Sequence, residues 1–450
     1  MITKDRKFYR SFITLCVTLM LEQAVILSVN LADNIMLGAY SEHSLAGVAA
    51  VNQIQFVLQQ IVYAVSNGMI ILGSQYWGQK RPEEVRKLSS ISMRVSLVLV
   101  IALFIAVSLF PHQTVSIFTP DESIISEGVR YLDIIRFTYI FFGISTILLG
   151  TMRVAESVKI ALFVSIISLI LNCCINYVLI FGRFGAPEMG VRGAAVGTLI
   201  ARIVECIIYI AYAFFHDKRI SLHPSDFLKI DNVLLRDFFR VATPVILTQA
   251  LWGFSNALQT VILGHMNDVA IAAQSISSNI FQLLKVTSIG ASSAASIIIG
   301  KTIGESKGMD KIREYTRTLQ ILFVCIGLVL GVALFFIRIP MLRIYNISEE
   351  TRTLANAYMI IQSVVLVTMS YQMPVNGGII RGGGDTKFIM IVDLVSIWVI
   401  VLPLSFLAAF VWKASPVVVI MLLNSDQVFK CVPAFFRVNS YKWVRQLTRS

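Results

Sequence analysis

Residues 12–36 form an apolar run, FITLCVTLMLEQAVILSVNLADNIM, in which only Glu22 and Asp33 carry a charge. A helix that crosses the hydrocarbon core of a bilayer needs about 20 mostly apolar residues. This stretch therefore predicts a membrane-spanning helix that contains two carboxyl groups. Ionisable residues within a span are rare, and by default they indicate an ion path or a proton relay.

Eleven further apolar runs follow the first. The twelve predicted spans are 12–36, 47–72, 93–110, 131–150, 160–181, 193–215, 239–263, 271–299, 318–337, 353–377, 389–410 and 417–436. The strands of a membrane β-barrel alternate apolar and polar residues over about ten positions, which these runs do not do. The sequence thus predicts an all-α membrane protein with twelve transmembrane helices.

The composition supports this class. The chain is 56% hydrophobic and 14% charged, whereas soluble proteins carry about 25% charged residues. The net charge of +12 does not indicate a nucleic-acid partner, because the basic residues lie in short clusters between apolar runs. The six cysteines have no metal-binding or disulfide pattern. We expect membrane lipid as a partner, no nucleic acid and no cofactor.

The distribution of Lys and Arg predicts the orientation. The N-terminal tail, the C-terminal tail and every second loop together hold 27 of these residues, and the alternate loops hold 7. Lys and Arg are enriched on the cytoplasmic side of membrane proteins. We therefore expect a multi-pass protein of a bacterial-type cytoplasmic (inner) membrane with both termini in the cytoplasm.

The chain also repeats itself. The hexapeptide at 33–38 (DNIMLG) aligns with that at 259–264 (QTVILG), an offset of 226 residues, and Gly150-Thr-Met-Arg153 aligns with Gly378-Ile-Ile-Arg381. The repeat predicts an N-terminal lobe over 1–225 with helices one to six and a C-terminal lobe over 226–450 with helices seven to twelve. Because each lobe has an even number of spans, the repeats are parallel, and such repeats place the substrate path between them.

Four segments carry a resemblance to a known family. They are NLADNIMLG at 30–38, LNCCINYVLIFG at 171–182, GVRGAAVGT at 190–198 and RGGGDTK at 381–387. In this order, and with the duplicated architecture, the sequence resembles the multidrug and toxic compound extrusion (MATE) family over essentially its whole length. The resemblance implies two six-helix lobes around a cavity, with export driven by proton or sodium entry.

The candidate ion site lies in the N-terminal lobe. Asp33 is a carboxyl group within a span, and Asn172 and Asn176 share a helix face because they are four residues apart. Thr198 begins the next helix at a similar predicted depth. The resemblance implies a cation site on these four positions. Their oxygen atoms suit Na⁺, and they equally suit a hydrogen-bonded cage around a carboxyl group that takes up H⁺.

Other polar residues within the spans are candidates for the substrate cavity. Glu22 and Lys285 are predicted at mid-membrane, where each either faces the cavity or pairs with an opposite charge. We predict a cavity set of Glu22, Lys285, Gln249, Tyr371 and Met373. The pairs Arg202/Glu205 and Asp426/Lys430 have the spacing of intrahelical ion pairs, and Asp393 is predicted to be structural.

The chain departs from the family pattern at several positions. Thr18 stands where relatives usually carry a proline. The seventh-helix position at which some members carry an acid holds Gln249, and the tenth-helix position falls near Ser370. A cation site of the usual kind in the C-terminal lobe is therefore in doubt.

These features predict a cation-coupled (H⁺ or Na⁺) antiporter. It would export small organic molecules, cationic or amphipathic compounds such as drugs, by alternating access, and would act as a monomer. The alternative is a flippase for lipids or lipid-linked precursors, a class whose cavities carry many cationic residues. An enzyme is not expected, because no HExxH motif or nucleophile elbow occurs.

Overall fold

The long helices of the protein define its architecture in a computed structural model that describes residues 2–119, 121–227, 231–264, 268–306, 308–345 and 347–449. The helices of 14 or more residues are α1 (Arg6–Tyr40), α2 (Glu42–Gly78), α3 (Pro82–Leu109), α5 (Glu122–Ile135), α6 (Thr138–Val154), α7 (Lys159–Phe181), α8 (Val191–Ala211), α9 (Asn232–Gly264), α10 (Asp268–Gly304), α11 (Met309–Ile344) and α12 (Glu349–Met373).

Shorter elements complete the helical set. They are α4 (Pro111–Ser116), α13 (Thr386–Asp393), α14 (Leu402–Phe406), α15 (Pro416–Leu423), α16 (Asp426–Phe429) and α17 (Cys431–Ser440), with 3₁₀ turns at Arg183–Gly185 and Pro224–Phe227. Four π-helical segments occur, at Tyr212–His216, Pro374–Ile380, Leu394–Val401 and Leu407–Val411. Within the ranges that the structure describes, all regular secondary structure is helical, which confirms the predicted all-α class.

The helices correspond to the predicted spans. Ten helical stretches of the described residues are long and apolar enough to cross a membrane, and the pair α5 and α6, bent by 52°, adds an eleventh. The remaining predicted span, 239–263, lies within α9. Each of the twelve predicted spans thus coincides with helical structure.

The repeat seen in the sequence reappears in the helix bounds. Adding the offset of 226 residues to α2 (Glu42–Gly78) gives the first and the last residue of α10 (Asp268–Gly304). The same offset carries the start of α1 at Arg6 onto the start of α9 at Asn232. The first two long helices of each half of the chain therefore follow the same plan.

The chain forms two compact units. The first, called the N unit, comprises Leu21–Gly73 and Arg81–Ala242. The second, called the C unit, comprises Met1–Met20, Ser74–Lys80 and Thr243–Ser450. Because α1 and α2 each contribute to both units, these units do not follow a single cut in the chain. The division into lobes at 225/226 stays a prediction.

Each unit has its own apolar core. The core of the N unit includes Leu37, Val62 and Tyr139. That of the C unit includes Leu334 and Tyr358. Many other large apolar side chains are exposed, as with Val98, 68% exposed, on α3. Apolar surface of this extent is expected where lipid rather than water surrounds a helix.

The connection between α8 and α9 packs on the N unit. Arg219 donates from Nη1 to the carbonyl of Ala155 at 2.8 Å, and Arg86 donates to the carbonyl of Ser221 at 3.3 Å. Asp231 caps α9, because its carboxylate accepts from the backbone N–H of Leu234 at 3.0 Å. This bond lowers the pKa of Asp231 below its ordinary value. The connection is thus an ordered part of the unit where the structure describes it.

Candidate functional site

The four residues predicted as a cation site lie together in the N unit. Asn176 donates from Nδ2 to Asp33 Oδ1 at 2.7 Å and to Asn172 Oδ1 at 3.3 Å. Asn172 in turn donates from Nδ2 to the hydroxyl of Thr198 at 3.1 Å. A continuous hydrogen-bonded chain therefore joins α1, α7 and α8.

The spacing of the two asparagines on α7 and the close packing of α7 against α8 position these hydrogen-bonded side chains. Asn172 and Asn176 are one turn apart on α7, and both are buried, 1% and 0% exposed. On the facing side of α8, Gly197 lies so close to α7 that a Cβ built on it would overlap Asn176 Oδ1. The absence of a side chain at Gly197 thus allows the amide of Asn176 to fit between the two helices.

The amide of Asn176 also carries an unsatisfied oxygen. Its Oδ1 atom is buried and has no hydrogen-bond partner among the described residues. Leaving such a group unpaired costs about 1–3 kcal/mol. Buried polar groups without partners are uncommon enough in folded proteins to need an explanation. Here the unpaired oxygen lies at the candidate ion site.

Asp33 lines a cavity that, with the open solvent at its mouth included, contains about 620 Å³ of empty space. Its lining combines carboxylate, amide and hydroxyl groups with aromatic rings, contributed by Val29, Asn30, Asp33, Val48, Asn52, Gln55, Leu58, Gln59, Tyr131, Thr138, Tyr139, Phe142, Thr198 and Arg202. A second cavity shares five of these residues. The shared residues are Val29, Asn30, Phe142, Thr198 and Arg202. The two cavities therefore form one polar region inside the N unit.

Two ion pairs neutralise the other charges of this region. Arg202 donates to Glu205 Oε2 at 2.9 Å, as its spacing predicts, and Glu205 also accepts from Ser168 at 3.3 Å. Glu22 is 1% exposed and accepts from Arg153 Nη2 at 2.6 Å. Each pair brings one positive and one negative charge, so neither adds net charge to the cavity region.

Asp33 differs from these paired acids. In the described part of the chain it has no Lys or Arg within ion-pair distance, and its hydrogen bond comes from the neutral amide of Asn176. The charge of Arg202 acts on Asp33, but its guanidinium pairs with Glu205. The site can therefore hold a single negative charge that a proton or a monovalent cation would neutralise.

The partner of Glu22 is a residue that the sequence did not indicate. The predicted spans place Arg153 in the loop between 131–150 and 160–181, whereas it lies in the last turn of α6 and its side chain is 12% exposed. One signal was present, because the repeat aligns Arg153 with Arg381. An arginine that occurs at the same position of both repeats is a candidate ion-pair partner for a buried acid such as Glu22.

The four other predicted cavity residues lie in the C unit. Lys285 is half-buried with its ammonium 5.5 Å from the ring centroid of Trp252, and Tyr371 donates to Gln320 Oε1 at 2.9 Å. Gln249 and Met373 are half-buried. Both cavities described above are lined by residues of the N unit, and Glu22 lines the second one. A cavity role for the four residues of the C unit stays a prediction.

Family comparison places this arrangement among known proteins. The family model MatE matches residues 19–178 and 244–407. The chain is 25% identical over 449 residues to a probable multidrug resistance protein NorM of Thermotoga maritima, covering 98% of this chain and 94% of that protein. It is 26% identical to the uncharacterized transporter YisQ of Bacillus subtilis, covering 90% and 88%.

Solved structures agree in fold. A crystal structure of MATE in complex with MaL6 has a TM-score of 0.86 at 17% identity, covering 96% of this chain and 95% of that chain. A MOP superfamily transporter from Pyrococcus furiosus has a TM-score of 0.86 at 17% identity over 100% of both chains. At this identity the likeness concerns the fold alone.

Proposed function

Because the chain belongs to the MatE family of membrane transporters, we propose that it is a cation-coupled antiporter that exports small organic compounds. The observation that carries the proposal is Asp33, a carboxyl group within a span that lines a cavity without an ion-pair partner among the described residues. A carboxylate in such a place is costly unless a proton or a cation neutralises it. That dependence provides a way to couple ion binding to a conformational change.

In the proposed cycle, Asp33 takes up the coupling ion while the cavity is open to the outside, and the substrate leaves. Neutralisation of the carboxylate then favours the state in which the cavity opens to the cytoplasm. There the ion is released and a new substrate binds. A ligand shifts such an equilibrium only by its difference in affinity for the two states. The coupling ion must therefore bind more tightly to one of them.

The coupling ion is H⁺ or Na⁺. For Na⁺, the oxygens available near Asp33 are those of its carboxylate, the unpaired Asn176 Oδ1, Asn172 and Thr198. For H⁺, the same hydrogen bonds form a cage around a carboxyl group that alternates between charged and neutral forms. Asn176 currently directs its N–H at Asp33, so Na⁺ binding would require its amide to turn.

The cavity lining favours small organic cations or amphipathic compounds as substrates. The second cavity carries the aromatic rings of Tyr63, Phe142 and Tyr209 beside the carboxylates of Glu22 and Glu205. Aromatic faces attract cations as well as apolar groups. Both carboxylates are paired with arginines, so we propose that the rings contribute more to binding than the acids.

The flippase alternative has less support. A site for anionic lipid-linked cargo needs an excess of positive charge, and among the described residues Arg202 is the one basic side chain lining the two cavities. Glu205 neutralises it. We therefore propose the exporter, acting as a monomer in a bacterial-type cytoplasmic membrane with both termini in the cytoplasm.

Reconstitution tests this proposal directly. The purified protein is placed in liposomes preloaded with a fluorescent organic cation, and either a proton gradient or a sodium gradient is imposed alone. We expect one of the two gradients to drive dye movement against its concentration gradient, and the inactive gradient serves as the control. Equal dye movement under both gradients and without any gradient would refute coupled antiport.

A further inference from the structure

A second polar chain lies within the C unit, on residues outside the proposed coupling site. Asn376 donates to Gln372 Oε1 at 3.1 Å, and Gln372 donates to Gln427 Oε1 at 2.6 Å. Gln427 donates to Asp426 Oδ2 at 2.7 Å. Three amides thus stand head to tail, each with its N–H group directed along the chain toward the carboxylate of Asp426.

The hydrogen-bonded chain of amides leads to Lys430, whose ammonium group lies between two carboxylates. Its ammonium lies 3.1 Å from Asp426 Oδ2 and 2.8 Å from Asp393 Oδ1, and its side chain is 7% exposed. The pair with Asp426 follows from their spacing of four residues, because Lys430 directly follows α16, whereas Asp393 is the last residue of α13. A single buried cation is therefore held by oxygens from two directions, with one negative charge in excess over the three groups.

The backbone is irregular near the residues that form this polar network, in each of the three membrane-spanning stretches that contribute to it. Gln372 precedes the π-helical segment Pro374–Ile380, and Asp393 immediately precedes the π-helical segment Leu394–Val401. The chain turns between α15 and α16, just before Asp426. π-Helical segments are frequent at functional sites. Interrupted membrane helices commonly supply ion ligands in transporters.

Arg381 acts electrostatically on Asp393, and Lys285 acts on Asp426, from neighbouring helices. Neither lies within ion-pair distance of a carboxylate in the described residues. At the far end of the chain, Asn376 is 6% exposed and its Oδ1 atom has no partner among the described residues. The cluster thus ends in an unused buried acceptor.

We propose that Lys430 acts as a tethered cation that fills a monovalent-cation site in the C unit. Carboxylate and amide oxygens are the ligands that a hard cation prefers. The carboxylates of Asp426 and Asp393 provide oxygens of this kind around Lys430, and the amide N–H group of Gln427 holds Asp426 in place. An ammonium group, with three N–H donors and a single charge, can occupy the same place. The C unit then needs no ion from solution.

The test removes the positive charge of Lys430 by substitution and supplies Na⁺ from solution in its place. The protein carries Asp33→Asn throughout, so that the proposed coupling site contributes no ion dependence. Thermal unfolding of the purified protein is measured in NaCl and in choline chloride at equal ionic strength. The compared variants are Lys430→Met, Lys430→Gln and Lys430→Arg, the last of which keeps a tethered positive charge.

Asp33→Asn alone and with Lys430→Arg should unfold at the same temperature in both salts. With Lys430→Met or Lys430→Gln, NaCl should raise the unfolding temperature saturably by about 2 °C or more, because a ligand that binds the folded state stabilises it. Adding Asp393→Asn should abolish that gain. The proposal is overturned if both neutral variants unfold alike in the two salts, or if Asp33→Asn alone already responds to sodium. Neither result bears on coupling at Asp33.

Discussion

Asn176 and Asp33, which are 143 positions apart in the chain, are joined by a hydrogen bond of 2.7 Å from the amide to the carboxylate. Asn176 is fully buried on α7, and Asp33 lies on α1 at the edge of a polar cavity. The bond therefore ties the acid of the first helix to a fixed amide of another. A change in the charge of Asp33 must alter this contact, which makes the pair the centre of the proposed coupling.

Replacing Asn176 with Ala should impair coupled export without preventing folding. The change removes the amide that donates to Asp33, and a hydrogen bond to a charged group contributes about 1.5–3 kcal/mol. We expect the concentration of coupling ion needed for half-maximal dye efflux to change about tenfold or more. Asn34→Ala is the matched control, because Asn34 is exposed on α1, next to Asp33 in the sequence. An unchanged ion dependence in Asn176→Ala would argue against the site.

Gly197→Ala, on α8, should disturb the same site by displacing the amide of Asn176 on α7. The added Cβ would overlap Asn176 Oδ1, so either the amide must turn or α7 and α8 must separate. We expect a lower unfolding temperature together with a loss of gradient-driven efflux. Gly253→Ala is the control, because a Cβ there meets no heavy atom within 4 Å. If Gly197→Ala transports normally, the close approach has no functional role.

The ion pair of Glu22 and Arg153 should behave as a coupled unit. Glu22→Gln or Arg153→Gln alone leaves a buried charge without its partner, and breaking a buried pair costs about 3–5 kcal/mol. The double variant should recover part of the loss in thermal stability and in dye efflux, which a mutant cycle measures. Strictly additive losses would mean that the two side chains act independently, and that Glu22 serves the cavity alone.

The sequence predicted contacts within one helix better than contacts between helices. The spacing of Arg202 and Glu205 implied a pair, and the structure has one at 2.9 Å. The partner of Glu22 was missed because the rotation and depth of α6 relative to α1 determine whether Arg153 reaches it. Composition does not specify either quantity. The same reason explains why the contact of Asp393 with Lys430 was not predicted.

Predictions for the candidate site had a similar limit. The face shared by Asn172 and Asn176 follows from helical periodicity, and the similar depth of Asp33 and Thr198 follows from counting residues along their spans. The hydrogen bonds that join them depend on the close packing of α7 and α8, which Gly197 permits. A glycine in an apolar helix does not by itself indicate which side chain it accommodates.

Asp385→Asn should release the C-terminal tail. Asp385 is 1% exposed and pairs with Arg437 and with Arg445, the latter at 2.7 Å. Losing the carboxylate charge weakens both contacts, so we expect faster trypsin cleavage after Arg445 and a lower unfolding temperature. Asp310→Asn, which removes a fully exposed acid, is the control. Equal cleavage rates in Asp385→Asn and the wild-type protein would show that other contacts hold the tail.

The most direct measurement of the central claim is dye efflux from liposomes that contain the Asp33→Asn protein, under whichever gradient drives the wild type. We predict that Asp33→Asn abolishes gradient-driven efflux, because its amide cannot change charge, while the protein still inserts and folds. Gln249→Ala in α9 should keep its gradient dependence, because the amide of Gln249 cannot titrate. Wild-type efflux from Asp33→Asn under the same gradient would show that Asp33 does not couple the ion to export.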